Sequence, residues 1–426
     1  MRNPIRLAKT GFQQLLESHP ALRRPVHAGV TAVRRGRYAL RKAAAPLSEH
    51  SILFCAYQGR SYSCSPKAIY EYLLTDPKFR DYTFTWVLKD PARYPFLLEN
   101  RNTFLVRPGT RDYERALARA KYWVFNFRTA DHLSPRRGQV YLQCWHGTPL
   151  KRLGCDIEFS GASFHTLPEI RRRYHRDARQ FHYLLSPSPA ATKTFISAWD
   201  LDRLLPPLSI LEIGYPRDDI LIQNPPQAQA FRRALGIPPD KTVVLYAPTW
   251  RDDQHRAGVG YTYAPALDFA RLQSLLGDRF VILFRAHYLI ASQFDFSQYA
   301  GFLYDVSAVD DINTLYLISD LLVTDYSSVF FDYACLCRPI LFYMYDLEHY
   351  ESQMRGFYLK KEALPGPILQ TEEALADAIV QYSAHFSCDE RYQAFNRVYN
   401  ALNDGRAAQR FVEFCFRETP VDAQDR

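Results

Sequence analysis

Nowhere in this 426-residue chain does an uncharged apolar run reach the ~18 residues that a membrane-spanning helix needs, so no segment is expected to cross a bilayer. The opening Met1-Arg2-Asn3-Pro4-Ile5-Arg6 leads into no apolar core of about 7–15 residues, which argues against a secretory signal. Cysteine spacing suited to zinc is missing as well. The eight cysteines are scattered, and the closest pair, Cys335 and Cys337, shows neither CxxC nor CxxxxC spacing, so they are expected to be reduced core thiols of a cytosolic protein. A GxxxxGK[ST] phosphate loop, an HExxH helix and a GxSxG elbow are all absent. Gly258-Val259-Gly260 follows a charged loop and not a strand, so it is no dinucleotide fingerprint. With no cluster of acidic residues in view, neither a bound metal nor a cofactor is expected.

What is present is an apolar fraction of 47% with 15% aromatics, enough to bury large cores and more in keeping with two domains than one. The basic excess is uneven. Residues 1–45 hold ten Lys or Arg against one acid, Glu17, a local charge of +9 beside +8 for the whole chain. Within this segment Ile5, Ala8, Phe12, Leu15 and Leu16 fall at helical spacing, which would set an apolar stripe beside a basic face. Residues 1–48 are therefore read as a helical segment that lies on an anionic membrane surface, each basic residue contributing about 1 kcal/mol. A plain solvated arm is the alternative, and nucleic acid is not favoured as a partner.

From Ser51 the pattern alternates short apolar strands with helical stretches, as in doubly wound α/β sheets. Strands are predicted at 52–56, 82–88, 103–106, 122–126, 140–145, 183–186 and 210–213, with helices at 66–74, 113–120, 167–177 and 190–199. The break Ile222-Gln223-Asn224-Pro225-Pro226 marks a boundary, giving one Rossmann-like domain over 49–224 and a second over 225–426. In the second, strands are predicted at 242–247, 280–285, 321–324 and 339–343, with helices at 267–276, 312–318 and 329–336 and further polar-faced helices from about Thr371 to Phe416. The two would face each other across a cleft.

Ligands of open α/β sheets bind beyond the carboxyl ends of the strands, and four such places stand out. In Gln143-Cys144-Trp145-His146-Gly147-Thr148-Pro149, Gly147 permits close backbone approach and His146 has the pKa range of a base for an incoming hydroxyl. A capped or core histidine is the bland alternative. In Phe284-Arg285-Ala286-His287, Arg285 and His287 would point the same way along an extended chain and hold phosphate oxygens or protonate a leaving group. In Thr324-Asp325-Tyr326-Ser327-Ser328-Val329, Ser327 or Ser328 caps a helix whose N-terminus would seat a diphosphate, while Asp325 orients a donor hydroxyl or a histidine, or is simply solvated. In Ala247-Pro248-Thr249-Trp250-Arg251-Asp252, Arg251 suits pyrophosphate, or else pairs with Asp252 or Asp253.

Taken in order, Cys144-Trp145-His146-Gly147-Thr148-Pro149-Leu150-Lys151, Ala247-Pro248-Thr249-Trp250-Arg251, Phe284-Arg285-Ala286-His287 and Thr324-Asp325-Tyr326-Ser327-Ser328-Val329-Phe330-Phe331-Asp332-Tyr333 resemble the CDP-glycerol glycerophosphotransferase family. Gly59-Arg60-Ser61-Tyr62-Ser63-Cys64-Ser65-Pro66-Lys67 is similar to the family's amino-terminal loop, with a departure at Ser63-Cys64-Ser65. The resemblance covers roughly residues 50–390. It implies a GT-B fold, a CDP-glycerol donor seated mainly in the second domain, a lipid-linked or polymeric acceptor, and attachment to the cytoplasmic face of the membrane. It also implies catalytic roles for His146, His287 and Asp325, with Gly147, Thr148, Thr249, Arg251, Arg285, Ser327 and Ser328 contacting substrate. The expected reaction is attack of an acceptor hydroxyl on the β-phosphorus with release of CMP, in synthesis of a teichoic acid or capsule-type polymer. A CDP-ribitol-dependent transferase, a GT-B glycosyltransferase using a nucleotide sugar, and a noncatalytic scaffold remain as alternatives.

Overall fold

In the computed structural model the described residues are 20–158, 166–204, 210–249, 255–256, 260–261, 266–285, 294–348 and 356–416. His287, Arg251 and the stripe Ile5 to Leu16 lie outside them.

The first half is a seven-stranded parallel sheet built from β1 (Ser48–Cys55), β2 (Thr83–Val87), β3 (Thr103–Val106), β4 (Ala120–Phe125), β5 (Val140–Gln143), β6 (Tyr183–Ser186) and β7 (Ile210–Glu212). Its strand order is β3-β2-β1-β4-β5-β6-β7. The second half repeats the plan with β8 (Thr242–Ala247), β9 (Phe280–Phe284), β10 (Leu303–Asp305), β11 (Leu321–Thr324), β12 (Ile340–Tyr343) and β13 (Ile368–Leu369), ordered β10-β9-β8-β11-β12-β13. Both are doubly wound, and helices cover both faces. This is why Phe280-Val281-Ile282-Leu283-Phe284 is apolar throughout and buried at every position. Each sheet reverses direction beside its first strand, at β1/β4 and at β8/β11, and at such switch points the crossover helices part to leave a crevice. The result is the two-domain GT-B arrangement that the alternation of strands and helices implied.

Helices start where the sequence offers caps. Asp311 accepts from the Asn313 amide at the head of Ile312–Ile318, and Ser188 accepts from the Ala191 amide at the head of Pro189–Trp199. The last helix, Ala407–Cys415, crosses back from the second half, placing Phe411 and Val412 in the core of the first sheet with Ile69 and Leu73. Asp219 anchors the start of that helix by accepting from the amides of Ala407 and Ala408.

The basic segment is less detached than its charge suggested. Helix Pro20–Ala44 lies against helix Arg111–Arg119, with Tyr38 buried and Arg37 and Arg41 both paired to the buried carboxylate of Glu114. Lys42 reaches Ser134, and Arg136 bonds to the Lys42 carbonyl. Part of the +9 is therefore spent inside the fold. Val33 and Leu40 remain 74% exposed. At about 100° per residue they lie across the helix from the docked Tyr38. Among the described residues no helix is long and apolar enough to cross a membrane. All eight cysteines are unpaired, but the expectation of core thiols holds fully only for Cys55, Cys64 and Cys144; Cys337 is exposed.

Candidate active site

Strand β5 ends at Gln143, whose side-chain oxygen accepts from the Trp145 amide at 2.9 Å and so caps the strand with a tight turn. Trp145 takes a left-handed backbone at φ 50, a conformation costly by about 1 kcal/mol or more for a non-glycine residue. Its indole is locked edge-on against Trp199 at 4.7 Å, which holds the strained turn in place. The turn delivers His146 into a ring of aromatics: Trp145 at 4.3 Å, Phe127 stacked at 5.4 Å and Tyr57 at 5.8 Å between centroids.

His146 Nδ1 lies 2.9 Å from the carbonyl oxygen of Asn126. A carbonyl only accepts, so Nδ1 carries the proton and Nε2 is left with its lone pair. Burial drives the imidazole pKa down to about 4, the Asn126 carbonyl working against that shift and the Arg217 charge adding to it. His146 is therefore a neutral base at physiological pH. Asn126 itself is fixed at the end of β4, its side-chain oxygen accepting from the Tyr57 amide at 2.7 Å. The histidine thus stands beside the β1/β4 switch point.

Strands β8 and β11 bring the second motif to the facing switch point. Asp325, 3% exposed, accepts from the Thr249 amide at 2.8 Å and from the Tyr326 amide at 2.6 Å through one carboxylate oxygen. Thr324 hydroxyl adds a bond to the Ala247 carbonyl at 2.8 Å. Asp325 is thereby a bracket joining the turns after β8 and β11, a role that sequence alone left between orienting a ligand and simple solvation.

The two motifs meet. A Cβ placed on Gly147, at φ 154, would sit 3.3 Å from Ser328 Oγ and 3.6 Å from a terminal nitrogen of Arg217. Ser328 is the residue before helix Val329–Tyr333, and its hydroxyl makes no bond to that helix's amides, so it is not spent on the cap that the sequence suggested. Gly147, next to His146 in the chain, therefore lies against Ser328, which follows Asp325 by three positions with Ser327 between them. Thr148 is placed otherwise: it is buried and lines a separate cavity of about 500 Å³ with Pro149, Pro189, Phe331 and Tyr358. Arg285 is half-buried, and one terminal nitrogen donates to the Val309 carbonyl at 2.6 Å and the Val306 carbonyl at 3.3 Å. This braces the loop whose Asp310 and Asp311 reach across the cleft to Arg93 at 3.1 Å and Lys67 at 2.7 Å.

Arg217 was not singled out by its sequence. It follows β7 in Gly214-Tyr215-Pro216-Arg217-Asp218, a strand exit of the same kind as the other four, and that was the signal available. Only 6% exposed, it pairs with Asp332 at 2.7 Å and Asp218 at 3.5 Å and lies 4.4 Å above the Tyr215 ring. Its carbonyl accepts from Asn313, so both halves grip the same residue. Burial, then the neighbouring Asp332, push the Asp218 carboxyl up. The halves are stitched again where Arg152 donates to the Gly356 carbonyl at 2.8 Å and the Tyr358 amide to the Leu150 carbonyl at 2.9 Å.

The chain is similar to known proteins over most of its length. The sequence model of the family described as CDP-Glycerol:Poly(glycerophosphate) glycerophosphotransferase matches residues 38–417. The teichoic acid poly(glycerol phosphate) polymerase of Bacillus subtilis (strain 168) is 37% identical over 378 residues, covering 87% of this chain and 49% of that protein. This chain therefore spans about half the length of that relative. The teichoic acid glycerol-phosphate transferase of Staphylococcus aureus (strain NCTC 8325 / PS 47) is 38% identical over 377 residues, 87% of this chain and 94% of that one. A solved structure of the wall teichoic acid polymerase TagF, soaked with CDPG, superposes with a TM-score of 0.81 at 35% identity, covering 92% of this chain and 95% of that one. On the family match across its two sheets and on these relatives, the chain belongs to the CDP-glycerol:poly(glycerophosphate) glycerophosphotransferase family.

Proposed function

We propose that this protein transfers glycerol phosphate from CDP-glycerol to a hydroxyl of a lipid-linked or polymeric acceptor, releasing CMP, in synthesis of a teichoic acid or capsule-type polymer. The observation that carries this reading is the approach of Gly147 to Ser328, which sets the neutral base His146 beside the serine turn of the second sheet.

In the proposed step, His146 Nε2 takes the proton of the acceptor hydroxyl as its oxygen attacks the β-phosphorus. The new oxygen–phosphorus bond forms while the bond from that phosphorus to the bridging oxygen of CMP breaks, and CMP leaves with the electron pair. Positioning and charge neutralisation do most of the work in such transfers. Ser327 and Ser328 would contact the diphosphate, with His287 and Arg251 assigned to its oxygens from sequence. Arg285 adds positive charge at the base of the cleft, Arg217 is matched by Asp332 and Asp218 and serves to fix the wall beside Gly147, and Gly147 lets the backbone come close. Asp325 would act by holding the serine turn in register with Thr249. Thr148 would contribute through the wall behind the turn.

The deciding experiment offers CDP-glycerol, CDP-ribitol and UDP-sugars separately with a glycerol phosphate-primed lipid and follows nucleotide release and product mass. CMP with a mass increment of one glycerol phosphate is expected. CMP from CDP-ribitol alone would change the alditol, and UDP with a glycosylated product would replace the reading.

Peripheral membrane attachment is part of the proposal. Its support is the exposed Val33 and Leu40 on a basic helix whose other side is docked on the domain.

A further inference from the structure

The β1/β4 switch point of the first sheet opens into a cavity of about 300 Å³, near the lower end of the size range of small-molecule sites. Its lining includes Cys55 and Phe125, the last residues of β1 and β4. The same two segments that wall the cavity also hold the imidazole: Phe127 lines it and stacks on His146, and Gln58 lines it next to Tyr57, whose ring meets His146 edge-on. Tyr57 and Gln58 both take a left-handed backbone, at φ 46 and 59, so this wall is held in an unfavourable conformation beside the base.

The charge of the cavity is also defined. Lys89 and Arg128 both line it. Arg128 spends one nitrogen on Asp177, but its Nη2 is buried with no hydrogen-bond partner among the described residues. The carboxylate in the lining, Glu114, is already matched by Arg37 and Arg41. The site is thus net positive, with apolar walls from Val87, Phe125 and Phe127. It lies in the half that carries the base and away from the serine turn of the second sheet.

We infer that this cavity is the acceptor subsite: it takes the anionic alditol phosphate segment next to the attacking hydroxyl, with Lys89 and Arg128 on its phosphate and Phe127 passing the hydroxyl end to His146. The inference rests on the function proposed above and adds where the acceptor sits. Because Arg37 and Arg41 of the basic helix hold Glu114 at the cavity wall, the site also lies within reach of whatever surface that helix contacts.

The test uses a water-soluble acceptor, two glycerol phosphate units on a short alkyl chain, with Lys89→Ala to remove charge and Gln58→Trp to fill the mouth. Gln58 and Lys89 are both exposed, so neither change should unfold the chain. Each is expected to raise the acceptor KM about tenfold, Lys89→Ala through the loss of one charge-assisted contact and Gln58→Trp by obstructing entry, with the CDP-glycerol KM and acceptor-independent CMP release unchanged. Calorimetric titration of the same acceptor into each protein reads binding without turnover and should show the same tenfold weakening. Unchanged acceptor binding in both variants, or no binding to the unmodified protein, overturns the inference. Absence of CMP release from CDP-glycerol in the unmodified protein counts instead against the proposed function.

Discussion

Gly147 and Ser328, 181 positions apart in the chain, lie so close that a single added carbon on the glycine would come within 3.3 Å of the serine oxygen. That contact is the seam between the two switch points. Gly147→Ala should press the turn after β5 away from the serine turn and lower turnover about tenfold or more, with stability falling by about 1–2 kcal/mol. Steady-state CMP release and a denaturant melt read the two effects separately; full activity with the added methyl would show that the seam need not be tight.

Replacing His146 with Ala should cut turnover by about 10²–10⁴-fold while circular dichroism and the melting temperature stay near those of the parent. The pH profile gives a sharper reading. Since the base must be neutral, activity is retained above its pKa and lost as pH falls through it. For the free protein, kcat/KM should therefore hold down to about 4 rather than fail near the ordinary histidine value, and the bound diphosphate should move the acid limb of kcat upward. An acid limb of kcat/KM near 6.5 would argue against His146 as the titrating base.

Asp325 separates bracing from chemistry. Asp325→Asn keeps a side-chain oxygen for the amides of Thr249 and Tyr326, whereas Asp325→Ala leaves both unmet at about 1–3 kcal/mol each. If the residue only braces, the asparagine form retains most activity and stability and the alanine form loses both. Loss of turnover in a stable asparagine variant would assign the charge itself a part in the reaction.

Arg217→Ala should destabilise the protein by about 3–5 kcal/mol, because Asp332 and Asp218 are left buried without their cation. Arg217→Met combined with Asp332→Leu should recover part of that loss. Urea midpoints of the parent and the two variants measure the coupling, and equal destabilisation in the single and double variants would place the cost elsewhere.

Val33→Glu together with Leu40→Glu should weaken flotation with anionic liposomes while turnover on a soluble acceptor is unchanged, since both side chains face away from the docked side of their helix. Unaltered flotation would return the helix to the status of a solvated arm.

Local chemistry settled much of this protein from the sequence alone. Strands 103–106, 183–186, 242–247 and 321–324 are found with the predicted bounds; in the third, Val243-Val244-Leu245-Tyr246-Ala247 after Thr242 is a continuous run of buried residues, the pattern of a parallel strand covered on both faces. Four strand exits with polar residues were legible for the same reason, since a strand's end is marked within a few residues. The edge strands Leu303–Asp305 and Ile368–Leu369 were not, being too short to show a period. What tertiary structure alone decided is everything that depends on partners far apart in the chain. Glu114 captures Arg37 and Arg41 and turns a free basic arm into a docked helix. Arg217 meets Asp332 over 115 positions, and the last helix returns to the first core. Ion pairs and close backbone contacts depend on distances in space, and those exist only once both sheets have wound and their switch points face each other.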